Sequence, residues 1–413
     1  MNGATMTDRR RATPVTVLTL FLILMTLLPL PALAKEGRDI TGKCHFTMPG
    51  NRAERAKAFD RKYKSAWTRM GARTTVIEID LPRSAKQGGV YVCFAREPDH
   101  MRLTQGNQAV PLYESTGPGF AHRYIPFEGN GPLRLELSTD KEGVAISELY
   151  VFSGEQPPHW VQRWQPPLEQ ADLLVLVAHP DDELLWMGGA IPYYAQERGK
   201  DVAVAYMTCA NPMRRSEMLN GLWTAGIRNY PYIGTFRDKR MPTMRDSWRI
   251  WGGEEAVTGH VVDLYRRLKP QVVLSHDLKG EYGHPAHILT ARAAAAALEA
   301  AADLARYPQS AAEHGVWDVP KLYLHLYEDN AMEMDWRMPV AALGGRTALA
   351  ISEEAFEMHR SQQAKFAVAV DGKHSASRFG LYRTLVGSDM EKNDFFEHIR
   401  PMEQTGDMPS PIR

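Results

Sequence analysis

Cysteine, net charge and long apolar runs are the features that this chain of 413 residues has least of. Only three cysteines occur, and their spacing matches no zinc-finger pattern. The 49 basic residues balance the 49 acidic ones, so no strong field favours nucleic acid or an anionic membrane surface as a partner. No second long apolar run follows residue 34, and we expect no transmembrane segment in the mature chain.

The first 34 residues have the pattern of a secretory signal peptide. Three arginines stand at 9–11, an apolar stretch follows from residue 15 to about residue 30, and Ala32 and Ala34 supply a small-x-small cleavage pattern. We expect cleavage after Ala34 and a secreted or periplasmic, extracytoplasmic protein. The alternative is an uncleaved anchor, although the apolar stretch is shorter than the roughly 20 residues that a spanning helix needs.

Residues 36–155 predict an N-terminal β-sandwich domain. Apolar and polar residues alternate as in strands in four segments, at 74–81, 89–94, 133–137 and 146–152. Carbohydrate binding is a role that such modules often have, which is an argument from fold alone. Cys44 and Cys93 lie in this region and either form a disulfide, which export would permit, or remain free thiols.

Residues 156–169 predict a linker, and the pattern changes for residues 170–400. Continuous apolar runs, typical of strands buried on both faces, alternate there with helical segments. Strands are predicted at 173–177, 202–207, 272–274 and 321–327, and helices at 184–198, 216–225, 254–268 and 286–304. This alternation predicts an α/β fold, a Rossmann-like and mostly parallel sheet with helices on both faces.

The most informative segment, residues 178–183, reads Ala-His-Pro-Asp-Asp-Glu and follows the first predicted strand of this region. Ligands of open α/β sheets bind outside the carboxyl ends of the strands, so His179, Asp181 and Asp182 are expected at a binding site. One of the two neighbouring carboxylates can bind a metal ion while the other faces water. The alternative is a plain turn and helix start, where aspartate is also favoured.

A second polar cluster follows the strand predicted at 272–274. His284 and His287 lie three residues apart where the chain enters the alanine-rich helix, on one face if both are helical. Two histidines and a carboxylate are a common catalytic zinc set that leaves positions open for water and substrate. A His-x-x-His pair alone is more often structural, but both clusters end strands of one predicted sheet and can therefore meet.

The two clusters together resemble a known family. Residues 178–183 and the Gly-His-Pro-Ala-His segment at 283–287 look like the PIG-L/LmbE family of zinc-dependent de-N-acetylases, and the resemblance spans about residues 170–390. It implies an LmbE-like fold. The sequence departs from the family at 208–213, where a Gly-containing loop is usual, so the substrate-facing wall is expected to differ.

The resemblance also assigns roles to individual residues. It implies that Zn²⁺ is held by three side chains, those of His179, Asp182 and His287. It further implies that Asp181 is the general base and that His284 stabilises the oxyanion or acts as an acid. Arg214 would contact the substrate.

These features predict an exported, zinc-dependent N-deacetylase. Its partner would be an amino-sugar glycan or glycoconjugate, and its reaction the hydrolysis of the acetamide of an N-acetylglucosamine-type unit. Two alternatives stay open, an amidase for another N-acyl compound and a non-catalytic carbohydrate-binding protein. The oligomeric state is not indicated by the sequence.

Overall fold

The computed structural model describes residues 36–116, 119–140, 143–209, 211–239 and 243–400. The predicted signal peptide at 1–34 lies outside these residues. The described chain forms an N-terminal β-rich region followed by an α/β region. None of the helices formed by these residues combines the length and the hydropathy that a membrane crossing requires.

The N-terminal region consists of two five-stranded antiparallel sheets. Its elements are β1 (Arg38–Asp39), β2 (His45–Thr47), α1 (Arg52–Ala56), β3 (Trp67–Met70), β4 (Thr74–Asp80), β5 (Gln87–Arg96), β6 (His100–Gln105), β7 (Tyr113–Thr116), β8 (His122–Glu128), β9 (Leu133–Ser138) and β10 (Gly143–Ser153). Strands β1, β3, β5, β8 and β10 form one sheet, and β2, β4, β6, β7 and β9 form the other. Ile77 and Ile79 of β4 pack with Val90 and Val92 of β5 in a core that the two sheets share.

The cysteines of this region are free thiols. Cys93 packs with Tyr91 and Phe152, on the face of β5 opposite the shared core. Cys44 packs against the shared core itself. The two thiols therefore lie in different clusters, and the disulfide that the sequence left open is not formed.

The α/β region is built on one seven-stranded sheet. Its strands are β11 (Leu173–Val177), β12 (Val202–Thr208), β13 (Tyr232–Phe236), β14 (Val272–Ser275), β15 (Lys321–His325), β16 (Ala331–Glu333) and β17 (Arg378–Thr384). Its helices are α2 (Asp182–Leu185), α3 (Ala190–Pro192), α4 (Pro212–Thr224), α5 (Met244–Ile250), α6 (Glu254–Leu268), α7 (Pro285–Ala302), α8 (Pro308–His314) and α9 (Ala348–Phe356).

The sheet is mixed, and its strand order is β13-β12-β11-β14-β15-β17-β16. The first five strands of this order run parallel, whereas β17 and β16 are antiparallel to their neighbours. Leu173 and Val175 of β11 pack in one core with α4 and α9, and Leu174 and Leu176 pack in a second core with α6 and α7. Helices thus cover both faces, and the predicted α/β fold is confirmed.

The helix predicted at 184–198 is interrupted. Helix α2 ends at Leu185, α3 is one turn long, and a π-helical turn at Tyr193–Glu197 follows. Gly188 has a φ of +53°, and a Cβ on it would lie 2.7 Å from the carbonyl oxygen of Ala376. The same Cβ would lie 2.8 Å from Nε1 of Trp336, so this close approach of distant chain segments requires glycine and breaks the helix.

Most other predicted elements differ from the structure only at their ends. The helix predicted at 254–268 has the observed bounds of α6. The strand predicted at 321–327 ends at His325, because Leu326 adopts a φ of +56° that a strand does not permit. The predicted domain boundaries stay predictions.

The N-terminal region contacts helix α4 directly. The guanidinium group of Arg215 donates to the backbone oxygens of Phe94 and Ala95, both at 3.3 Å. It also forms an ion pair with Glu97 at 2.9 Å. Because Arg215 follows Arg214 in α4, these contacts tie the N-terminal sheets to a helix that reaches the candidate site.

Candidate active site

The site lies where two neighbouring parallel strands end. Strand β11 ends at Val177, and the chain then turns through residues 178–183 into α2. Strand β14 pairs with β11 and ends at Ser275, and residues 276–284 lead from it to the start of α7. Both polar clusters therefore leave the same edge of the sheet, as the sequence predicts.

Three side chains from these clusters face one another at short range, and the carboxylate of Asp182 contacts the two histidines with different oxygens. Nδ1 of His179 lies 3.1 Å from Oδ2 of Asp182 and 3.3 Å from Nε2 of His287. Nε2 of His287 lies 3.3 Å from Oδ1 of Asp182. Ligands about 2.0–2.2 Å from a tetrahedral zinc ion are roughly 3.3–3.5 Å apart, and the spacing of these side chains is close to that.

The protonation of these groups also fits a metal site. Burial on its own would raise the pKa of Asp182, but His287 and His179 hold that pKa well below its usual value. Burial lowers the pKa of His287, which favours the neutral form of its ring. An ionised carboxylate and a neutral imidazole are the forms that bind a divalent ion.

Two further histidines lie near the same atoms, and His276 forms with Asp182 and His287 a group that could hold a metal ion. Its Nε2 accepts a hydrogen bond from the backbone N–H of Ala178 at 2.9 Å, and its Nδ1 lies 3.1 Å from Oε1 of Glu281. Both ring nitrogens are therefore engaged. His284 lies close enough to His179 and His287 to form a second group that could hold a metal ion.

Glu281 is the functional residue that the sequence reasoning missed most clearly. Its Oε2 lies 2.6 Å from Nδ1 of His287, and its Oε1 lies 3.1 Å from Nδ1 of both His276 and His325. A carboxylate that accepts from the far nitrogen of a ligating histidine fixes the tautomer and raises ligand basicity. The feature of the sequence that could have identified Glu281 is its position, six residues before His287 in the same polar segment.

Asp181 occupies a strained turn beside the donor atoms. Its φ is +106°, a left-handed conformation that costs a non-glycine residue about 1–3 kcal/mol and is found mostly at functional sites. The backbone N–H of Asp181 donates to Oε2 of Glu183 at 2.9 Å, which helps to hold this turn. Burial raises the pKa of Asp181 well above its usual value, the charge of Asp182 raises it further, and Arg214 opposes both.

Arg214 is brought to Asp181, as its predicted place at the site requires. Its guanidinium lies 3.2 Å from Oδ1 of Asp181 and also donates to the carbonyl oxygen of Pro180. The side chain is mostly buried. Arg214 comes from the first turn of α4, where Asn211 caps the helix by accepting from the backbone N–H of Arg214 at 3.0 Å.

His284 lies at the site as a neutral ring, whereas a general acid would need the protonated ring. It caps α7 in an extended conformation, so His284 and His287 are not both helical. Burial, together with repulsion from His287 and His179, lowers the pKa of His284 to about 3. The ring is therefore neutral in this structure, and Nδ1 has no hydrogen-bond partner among the described residues.

A small pocket of about 130 Å³ opens onto these residues. Besides His179, Asp181, Asp182, Arg214 and His284, its lining includes Gln362, from a segment at 359–362 that also resembles the family, and residues that the sequence did not single out: Leu185, Trp186, Asp238, Tyr282 and Phe366. Nε1 of Trp186 donates to Oδ1 of Asp182 at 2.9 Å. Asp238 follows β13 at the same sheet edge, which is the signal that would have found it. The structure thus brings all the predicted site residues together, although His287 does not line the pocket, and their catalytic roles stay predictions.

Comparison with known proteins identifies the class. Residues 174–298 match the PIG-L family, described as GlcNAc-PI de-N-acetylase. The 1D-myo-inositol 2-acetamido-2-deoxy-alpha-D-glucopyranoside deacetylase of Rhodococcus opacus (strain B4) is 30% identical over 210 residues, which are 42% of this chain and 70% of that protein. Deacetylase 1 of the same description from Catenulispora acidiphila is 31% identical over 200 residues, 41% of this chain and 58% of that protein.

One solved structure with a related description is the N,N'-diacetylchitobiose deacetylase from Pyrococcus horikoshii. It is 18% identical, with a TM-score of 0.34, over 48% of this chain and 74% of that chain. From the sequence relatives, the chain belongs to the PIG-L family of de-N-acetylases, as its motifs predict. It is accordingly an amide hydrolase by class.

Glu281→Gln tests the support of the candidate metal site. The change keeps the shape of the side chain and removes the charge that three histidines face. We expect the zinc affinity, measured by competition with a chelator, to fall by about 10- to 100-fold. Glu328→Gln, at a carboxylate that is 85% exposed, is the matched control and should leave the affinity unchanged. Equal affinities for the two variants would contradict this role of Glu281.

Proposed function

We propose that this protein is an exported, zinc-dependent N-deacetylase that hydrolyses the acetamide of an N-acetylated amino sugar in a glycan or glycoconjugate. The observation that carries the proposal is the set of donor atoms from His179, Asp182 and His287 at 3.1–3.3 Å from one another, beside the carboxylate of Asp181. Two imidazoles and one carboxylate are a ligand set of catalytic zinc and leave room for water and substrate.

The chemistry of an amide requires both a strong nucleophile and stabilisation of negative charge. A divalent ion bound by these residues would supply Lewis acidity, lowering the pKa of water and polarising the acyl carbonyl. We assign Asp181 as the general base. Its carboxylate lines the pocket, and its raised pKa suits a group that takes a proton from water and returns it to the leaving amine.

Arg214 and His284 complete the set of groups around the acyl carbon. Arg214 holds the carboxylate of Asp181 by an ion pair, which fixes its direction and keeps its pKa from rising further. The neutral imidazole of His284 has one N–H to donate to the carbonyl oxygen as negative charge develops there. This donation does not require His284 to be charged before the substrate binds.

The substrate is inferred from the relatives. Their descriptions name a 2-acetamido-2-deoxy-glucopyranoside of inositol, which is an N-acetylglucosamine unit, and the family description names GlcNAc as well. A glycan or glycoconjugate is favoured by the N-terminal region, whose two sheets we interpret as a β-sandwich domain that holds carbohydrate next to a Rossmann-like catalytic domain. Its contact with α4 through Arg215 would orient such a carbohydrate relative to Arg214.

A substrate panel tests the reaction. The zinc-loaded protein is expected to release acetate from N-acetylglucosamine, its linear oligomers and an N-acetylglucosaminyl inositol, at rates that differ between them. A chelator should abolish the release, and added Zn²⁺ should restore it, because the carbonyl is not polarised without the ion. Release that continues undiminished in the chelator would contradict zinc dependence, and no release from any of these compounds would reject the proposed function.

Asp181→Ala separates the base from the ligand set. Because Asp181 is not one of the three proposed zinc ligands, we expect the zinc content to persist while kcat falls by about 10² to 10⁴. Asp371→Ala is the matched control, since its carboxylate is 77% exposed and pairs with Arg337 at the surface. A kcat equal to that of the control would remove Asp181 as the base.

Export is proposed from the pattern of residues 1–34 alone. The basic segment, the apolar stretch and the small residues before position 35 support cleavage after Ala34. N-terminal sequencing of the protein recovered from outside the cytoplasm should begin at Lys35. A protein that begins at residue 1 and stays with the cells would contradict both cleavage and export.

A further inference from the structure

The pocket at the candidate metal site is too small for a whole glycoconjugate. Its volume is about 130 Å³. Pockets that enclose small-molecule ligands usually measure about 300–1,000 Å³. The pocket therefore suits the acetamide and the adjoining edge of one sugar ring, and the remainder of a larger substrate has to lie against a neighbouring surface.

A second and much larger pocket, of about 860 Å³, adjoins the first. Tyr282 lines both pockets, and the residue is 46% exposed. A second link is the edge contact between the rings of Trp186, in the first pocket, and His374, in the second, whose centroids are 6.3 Å apart. A ligand that reaches past Tyr282 from the metal site enters this larger pocket.

The large pocket is formed mostly by residues outside the segment that matches the family. Its walls are residues 326–328 after β15, strand β16, and the start of β17 with residues 373 and 374 before it; residues 277–283 of the matched segment complete them. The family match ends at residue 298, so most of this pocket belongs to the part of the chain that the family description does not cover.

The lining of the large pocket has the chemistry of a site for a polyhydroxylated ring. Aromatic surface comes from Tyr282, Tyr327 and Phe379, which suits the apolar faces of sugar rings. Hydrogen-bond donors come from Lys279, Lys373 and Arg378, and acceptors come from Asp277, Glu328 and Glu333. Hydroxyl groups both donate and accept, so they can be satisfied by a lining that carries both kinds of group.

We propose that this pocket binds the sugar unit next to the one that is deacetylated, so that the substrate is an oligosaccharide of at least two units. The proposal rests on the proposed function and adds the length of the substrate to it. Inositol, the second ring in the substrate named for the relatives, is also a polyhydroxylated ring. The pocket volume is near the upper end of the usual range, so the pocket has room for more than a single small ring.

The length dependence of the wild-type enzyme tests the proposal without any variant. Acetate release is measured from N-acetylglucosamine, from its linear dimer, trimer and tetramer, and from N-acetylglucosaminyl inositol. We expect kcat/KM to rise by about tenfold or more between the monomer and the dimer or trimer, mainly through KM, because the second pocket contributes binding away from the reacting bond. Equal values of kcat/KM for monomer and oligomers would overturn the proposal, as would a gain confined to the inositol conjugate.

Ala331→Trp locates the gain in this pocket. Ala331 is exposed on β16 and lines the pocket, so an indole there fills the space without removing an existing contact. We expect the gain for oligomers to disappear while kcat/KM for the monomer stays within about twofold. Ala305→Trp, at an exposed alanine after the far end of α7, is the matched control and should keep the full gain.

The outcomes separate this proposal from the proposed function. A gain for oligomers that survives in Ala331→Trp would place the second sugar elsewhere and overturn the assignment. Lys373→Ala shortens one exposed side chain of the same pocket and should reduce part of the rise in kcat/KM for oligomers. It replaces Ala331→Trp as the test if the tryptophan variant does not fold. Release of acetate from every substrate at equal rates would agree with the deacetylase activity and reject only the subsite. Release from none of the substrates would reject the deacetylase activity itself.

Discussion

The candidate site depends on a buried carboxylate, that of Asp182, which is shared between two imidazoles. Its Oδ2 faces His179 and its Oδ1 faces His287, while Nε1 of Trp186 donates to Oδ1 and the backbone N–H of His179 donates to Oδ2. A buried charge is costly unless it is paired and hydrogen-bonded, and here the pairing comes from a strand end about a hundred residues away. The parallel pairing of β11 with β14 is what brings these groups together.

The neighbouring carboxylates have opposite environments. Asp182 is surrounded by imidazoles and donors, which hold its pKa well below the usual value, whereas burial and the charge of Asp182 raise the pKa of Asp181. Two carboxyl groups with pKa values pushed apart are the usual sign that one serves as ligand or electrostatic partner and the other as acid or base. The strained backbone of Asp181 is the means by which adjacent residues point in different directions.

The sequence was most informative where local pattern determines structure. The continuous apolar run at 173–177 and the helical pattern at 254–268 predicted β11 and α6 with their observed bounds, because burial on both faces and amphipathic periodicity are local properties. The placement of polar residues after strand ends predicted that His179, Asp182 and His287 would meet.

The remainder depended on contacts between distant residues, which a single sequence does not carry. The break at Gly188 is imposed by Trp336 and Ala376, which lie far from Gly188 in the sequence. Strands β16 and β17 run antiparallel at the edge of the sheet, a direction that their short runs do not encode. Glu281 was hidden for the same reason, because its importance arises from three histidines that surround it only in the folded chain.

If these side chains hold one zinc ion, anomalous diffraction at the zinc absorption edge from crystals of the zinc-loaded protein will locate it. We expect a single strong peak about 2.0–2.2 Å from Nδ1 of His179, Nε2 of His287 and a carboxylate oxygen of Asp182. A peak held instead by other residues, or no peak between these three side chains in zinc-loaded crystals, would contradict this expectation.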